Sequence, residues 1–321
     1  MIKLPSAGFA GLFKIKILRR SASGDIVSSR VAADWFPNII TDIGLDHVGD
    51  NNDTLRYCCL GTGNTTPAAT DTQLSAWSGA GARISAVGAS SGSVAPYYGG
   101  VLSTYHVDVV GNMQEIGVGW ENTALGNLFS RALIVDGSGN PTSITVLPDE
   151  IVEASYWHRV YAPTTDVTGS ITISGVSYNY TIRPALAGSS KGFYGQGWGL
   201  LSTSSSFSRE SGFLSAQTAG GATNSGTGVF TGGIGTALSK PSGTLNATGT
   251  ASNSAYSAFS LQRYGTYTWT IDNGNLTGGI RSVLYSAGFV SYQIEFDPPI
   301  PKDNTKQLQL QFMHSWSRRT L

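Results

Sequence analysis

Apolar and polar residues alternate with a period of two along much of this chain. In Leu12 to Arg19, Phe13, Ile15 and Ile17 share one face and Lys14 and Lys16 the other, which predicts a half-buried strand. A turn over 21–25 follows it. Val31 to Ile40 is apolar and aromatic, interrupted by Pro37, and Thr41 or Asp42 is placed to cap a short helix that Gly49 ends. Leu55 to Leu60 reads as a strand, and so does the Tyr- and Val-rich stretch from Ser93 to Met113. Phe129 to Val135 and Ser143 to Leu147 flank Asp136-Gly137-Ser138-Gly139-Asn140-Pro141, a reversal signal that predicts a hairpin. Ile151 to Tyr161 then sets Ile151, Glu153, Ser155, Trp157, Arg159 and Tyr161 against Val152, Ala154, Tyr156, His158 and Val160. Neither side is wholly polar, so this strand is expected to be covered on both faces, by its own fold or by a neighbouring subunit.

Beyond Tyr161 the period persists. Ser170 to Ile182 predicts a tight hairpin around Gly175-Val176, with Ile171 and Ile173 opposite Tyr178 and Tyr180. Composition then shifts: 186–256 is dominated by Gly, Ser, Thr and Ala, with apolar anchors at wide spacing. The interspersed aromatics argue against a disordered linker, and long loops ordered by neighbouring subunits or by a thin β layer are expected. Strands return at Tyr264 to Ile271, Ser282 to Tyr285 and Phe289 to Phe296. The prolines of Asp297-Pro298-Pro299-Ile300-Pro301 then predict an extended crossing without regular ladder pairing. Lys306 to Trp316 reads as a terminal strand that closes the sheet. The expected fold is all-β: a sandwich or paired antiparallel sheets, with long Gly/Ser-rich loops and a few short helical turns. The expected division is an N-terminal β domain over 1–184, a Gly/Ser/Thr-rich segment or insertion over 185–260, and C-terminal strands over 261–321 that close the β body.

Composition narrows the function. The 321 residues suffice for a proper core, yet only 12% are charged while glycine numbers 41. That charged fraction is about half the usual one, so the surface is polar largely without charge, a character that suits contact with other proteins. Net charge is zero, and basic pairs occur only at Arg19-Arg20 and Arg318-Arg319, so a nucleic-acid partner is not expected. No run approaches the roughly eighteen apolar residues of a membrane helix, and Lys14, Lys16, Arg19 and Arg20 follow the apolar N-terminus where a leader would be cleaved. Membrane insertion is not expected, and synthesis in the cytoplasm is. Cys58 and Cys59 are adjacent, so a bridge between them is strained and both read as reduced packing residues.

Candidate chemistry is sparse. G-x-S-x-G occurs at Gly88 to Gly92 and at Gly188 to Gly192, but neither is followed by the helix that a nucleophile elbow requires. His47, His106, His158 and His314 are scattered, and strand alternation disperses Glu115, Glu121, Glu150 and Glu153. Asp46, Asp50 and Asp53 with Asn51 and Asn52 read as an acidic turn rather than a calcium loop, since the spacing is not that of an EF-hand. Gly61-Thr62-Gly63-Asn64-Thr65-Thr66-Pro67 lacks the spacing of a phosphate-binding loop. No enzyme activity, cofactor or metal is expected.

Three blocks carry a resemblance. They are Trp35 to Leu45 with the Gly61 to Leu74 stretch, the Glu115 to Val160 region, and Tyr292 to Arg318. Together they resemble a family of virion proteins of tailed bacteriophages from the tail, tail-tip and tail-fibre region. The resemblance implies a structural component of the virion tail, assembling as symmetric copies in the tail tip, baseplate or tail-fibre attachment region. Its partners would be other copies of itself and neighbouring virion proteins. Trp198, Phe207, Phe213, Phe230 and Tyr256 are the candidate interface residues, because isolated aromatics among glycines need something to pack against, a neighbour or the protein's own sheet. One alternative is a receptor-binding module for a host surface glycan or pilus, which predicts solvent-facing Trp and Tyr beside Asn, Asp or Gln. Another is a capsid decoration or head-tail collar protein.

Overall fold

The computed structural model describes residues 1–50, 54–91, 94–123, 126–185, 228–246, 249–285 and 290–321. The strands are β1 (Ile2–Lys3), β2 (Ala7–Arg20), β3 (Ile26–Pro37), β4 (Ile39–Ile40), β5 (Tyr57–Gly61), β6 (Trp77–Ser90) and β7 (Tyr98–Val107). There follow β8 (Gly111–Met113), β9 (Glu115–Gly119), β10 (Leu128–Leu133), β11 (Ile144–Val146), β12 (Glu150–Tyr161), β13 (Val167–Ile173) and β14 (Val176–Pro184). The last are β15 (Gly228–Phe230), β16 (Leu245–Asn246), β17 (Thr250–Asn253), β18 (Gln262–Trp269), β19 (Ile280–Tyr285), β20 (Tyr292–Ile300) and β21 (Leu308–Arg318). Among the described residues α1 (Asp42–Asp50) is the one helix, and the protein is all-β.

The chain forms two compact units that interleave along the sequence. One comprises 9–89, 100–159 and 317–321. Its main sheet runs β2-β12-β7-β6-β5-β9-β10-β4, with β3 on β2, and β8 and β11 form a separate two-stranded ladder. Phe13, Ile15 and Ile17, the face that alternation marked on β2, are buried, and so are Val152, Ala154, Tyr156 and His158 of β12, whose other side, expected to be covered too, is half-buried at Glu153, Ser155, Trp157 and Arg159. Phe13 meets Tyr156 at 4.7 Å between ring centroids, and His158 lies against Phe9 at 5.2 Å and edge-on to Phe129 of β10 at 5.4 Å. Strands far apart in the sheet order thus share one core, which requires the sheet to curl. Thr41 caps α1, its hydroxyl oxygen accepting the Gly44 N–H at 2.9 Å while the hydroxyl donates to the Leu128 carbonyl.

The predicted hairpin over 129–147 does not form. β10 has β9 on one edge and β4 on the other, so no edge remains for β11, which pairs with β8 instead. Only the reversal itself survives, as a bridge between Val135 and Pro141 and a hydrogen bond from Thr142 N to Ile134 O of 2.9 Å.

The other unit comprises 1–8, 90–99 and 160–316. It holds one sheet of order β17-β18-β21 with β1 parallel to β21, and a second of order β13-β14-β20-β19-β15-β16. Tyr285 of β19 meets Phe312 of β21 at 4.5 Å and Tyr267 of β18 at 5.7 Å, so the two sheets close face to face over an aromatic core. The predicted hairpin is present as β13–β14, turned one residue earlier: Ile173 pairs with Val176, and Ser174 and Gly175 form the loop at φ 50 and 81°. Ile171 faces Tyr178, whereas Tyr180 faces Gly169 rather than Ile173. Pro298 and Pro299 lie within β20, which stays extended to Ile300, and neither joins a ladder: the β14 pairing ends at Asn179↔Asp297, and the β19 pairing skips from Ser282↔Glu295 to Ile280↔Ile300, as the prolines predict. Most of the expected Gly/Ser/Thr-rich segment, 186–227, is outside the described residues.

Candidate functional site

The residues singled out from sequence do not converge. Trp198, Phe207 and Phe213 lie outside the described residues. Phe230 is buried in β15 against Ala185 and Leu284, and Tyr256 is half-buried beside Trp316 at 5.7 Å between centroids. His47 stacks on Trp120 at 3.8 Å, His106 approaches Glu153 at 3.5 Å, His158 is in the core, and His314 lies against the Tyr285 hydroxyl. Among the described residues no group of three or more His, Cys, Asp or Glu side chains is placed to hold a metal ion. The Gly188 to Gly192 motif is outside the described residues, as are Asn51, Asn52 and Asp53.

The buried charges serve the loops. Arg131 of β10 and Glu115 of β9 are almost fully buried and pair at 2.7 Å. Arg131 also reaches Asp71 at 2.6 Å, the Thr65 carbonyl at 2.9 Å and the Thr65 hydroxyl at 2.8 Å. Glu115 accepts the N–H groups of Gly63, Ser75 and Ala76 at 3.2, 3.0 and 2.7 Å. The Gly61 to Ala76 loop is therefore clamped from beneath by one ion pair. The other unit repeats the device: buried Gln293 accepts the Gly235 N–H at 2.8 Å and donates to the Thr236 carbonyl at 2.8 Å, while Glu295 accepts from Ile234 N and pairs with Arg281. Every one of these contacts is internal, so both clusters act as architecture.

Two surface features remain. The first is a pair of strand segments exposed on both faces. Residues 22–31, the outer part of the β2–β3 hairpin, are all exposed, with Ile26, Val27 and Val31 at 50, 60 and 56%. The same holds for Ile84 to Val87 of β6, where the ladder with β5 ends at Tyr57↔Ala82 and Ile84 and Val87 are 55 and 62% exposed.

The second is on the outer face of the sheet at the base of β3. Phe13 pairs with Phe36 and Ile15 with Ala33, so two residues, Asp34 and Trp35, stand opposite the single residue Lys14. This bulge interrupts strict alternation and leaves both side chains in solvent, Trp35 at 38% exposure. Lys14 bonds the Asp34 carboxylate at 2.8 Å and lies 5.9 Å from the Trp35 ring centre. Its hydrogen bond, and next the Trp35 backbone N–H, hold the Asp34 carboxyl below its ordinary pKa. Across β2, Trp157 of β12 meets Trp35 edge-on at 5.9 Å and 60°, and the Arg159 guanidinium covers one face of Trp157 at 3.7 Å. Lys16 and His106 both approach Glu153, at 3.3 and 3.5 Å. The arrangement is an angular aromatic notch bordered by a carboxylate and an ammonium. Alternation alone puts Trp157 and Arg159 on one face; the placement of Asp34 beside Trp35 depends on the bulge, which has no sequence signal.

Fold and surface together define an all-β protein. Neither the family models, nor the curated proteins, nor the solved structures contain a match to this chain.

Proposed function

We propose that this protein is a structural component of a tailed phage virion, working as symmetric copies in the tail tip, baseplate or tail-fibre attachment region. The resemblance of its three sequence blocks supplies the virion. The observation that carries an assembly role is the pair of strand segments, Ile26 to Val31 and Ile84 to Val87, that leave aliphatic side chains exposed on both faces. A strand with one solvated face normally turns its aliphatic residues inward, and a strand with apolar residues on both sides gains stability only when both are covered. Covering one such side chain contributes about 1.5–3 kcal/mol, and a symmetric ring repeats that contribution at every contact.

The β2–β3 ladder has three register shifts, and bulges of this kind twist an edge away from simple ladder extension. Neighbouring copies therefore dock through side chains rather than by adding a strand. The test has two parts. Purified particles should contain the chain, with its electron-microscopic density in the tail. In solution, light scattering should show a multimer for the wild type and a folded monomer for the Val27→Asp, Ile84→Asp double variant. A chain absent from particles, or a wild type monomeric at high concentration, overturns the proposal.

A further inference from the structure

We propose that the notch formed by Asp34, Trp35, Lys14, Trp157 and Arg159 is a binding site for an uncharged saccharide. The inference is independent of the virion assignment and uses a different surface from the exposed strand segments.

Three observations carry it. The exposed Trp35 ring offers an apolar face in solvent, which fits the C–H face of a pyranose and does not require a deep pocket. The β3 bulge then leaves the Asp34 carboxylate 73% exposed and 2.8 Å from the Lys14 ammonium, which itself lies 5.9 Å from the centre of that ring. A carboxylate accepts from vicinal hydroxyls and an ammonium donates to them, so the pair reads the two sides of a sugar hydroxyl group at once. Finally, each carboxylate is met by an ammonium, Lys14 on Asp34 and Lys16 on Glu153, and the Arg159 guanidinium lies on the Trp157 ring. A basic peptide finds no free carboxylate on such a surface, and the remaining acceptor and donor capacity of Asp34 and Lys14 suits hydroxyl groups. Trp157, pinned by Arg159 at 3.7 Å and meeting Trp35 at 60°, forms the wall that fixes how a ring enters. Both walls rise from paired strands, so the site is formed before the ligand arrives and loses little entropy on binding.

The full-length protein is tested on a printed array of neutral hexose and N-acetylhexosamine oligosaccharides, with sialylated and sulfated oligosaccharides beside them. Each retained oligosaccharide is then titrated in solution by tryptophan fluorescence. The expected result is retention of a neutral subset, with affinity reduced at least tenfold in Trp35→Ala and in Asp34→Asn, partly restored in Trp35→Phe, and unchanged in Val110→Ser, an exposed position outside both surfaces. Trp35 and Asp34 are surface residues, so unaltered circular dichroism and melting of these variants verify that only the site has changed. Retention of no neutral oligosaccharide, retention of acidic ones alone, or equal affinity in wild type and Trp35→Ala overturns the inference. Because the solution titration reads each site by itself, whatever the state of assembly, a failure here leaves the virion proposal standing, and the reverse also holds.

Discussion

At the residue scale the few charged side chains carry disproportionate weight. Arg131 and Glu115 are buried at 2 and 0% exposure and satisfy one another and the loop above them. Removing one member leaves an unpaired buried charge, so Arg131→Met is expected to destabilise the protein by about 3–5 kcal/mol in urea unfolding, and Glu115→Gln, Arg131→Met together by less. His314 makes a second case. Burial, with the nearby Arg263 charge, pushes its pKa down to about 3. The folded state therefore holds this imidazole neutral while the unfolded chain protonates it near pH 6.5. Between those two values the unfolded state binds more protons, so His314 costs stability progressively as pH falls from about 6.5 towards 3, at a limiting slope of about 1.4 kcal/mol per pH unit. Urea midpoints of wild type and His314→Gln measured from pH 7 to pH 4 should converge as pH falls, and parallel curves would refute this. Neither role was legible beforehand. Arg131 falls within an apolar strand sequence, and nothing local tells that its guanidinium meets Glu115 and a loop some sixty residues away in the chain.

At the element scale, strand positions were readable because burial on one face imposes a period of two. Phe13, Ile15 and Ile17 went inward as that period requires, and Thr41 capped its helix. Pairing was not readable, since an apolar strand fits any free edge. β10 and β11 show the consequence: both strands exist, and they pair with different neighbours. Turn chemistry was nearly sufficient for β13–β14, where the loop moved to Ser174-Gly175 because a two-residue turn with both φ angles positive matches the twist of the flanking strands. Only glycine takes that conformation without cost at Gly175. Gly175→Val is expected to lower stability by about 1–2 kcal/mol, and Ser174→Asn to raise it slightly, both read from thermal melting.

At the scale of the whole molecule, low charge and high glycine content have a structural counterpart. Loops poor in charge are held by buried polar side chains from strands beneath them, Glu115 and Arg131 in one unit and Gln293 in the other. Five of the exposed aliphatic residues, Ile26, Val27, Val31, Ile84 and Val87, fall on two strand segments, which is where the assembly prediction belongs: a folded monomer from Val27→Asp, Ile84→Asp against a wild-type multimer. The all-β class, strands such as β2, β5 and β12, and the helix cap were determined by sequence alone, because period, turn residues and composition act locally, whereas β6 carries no such period and was not foreseen. Strand order, the interleaving of the two units, the buried ion pair and the meeting of Asp34, Trp35 and Trp157 were decided only by the tertiary structure. Each depends on which distant edge or face a segment finds free, and a bulge of one residue redirects a side chain that alternation would have turned away.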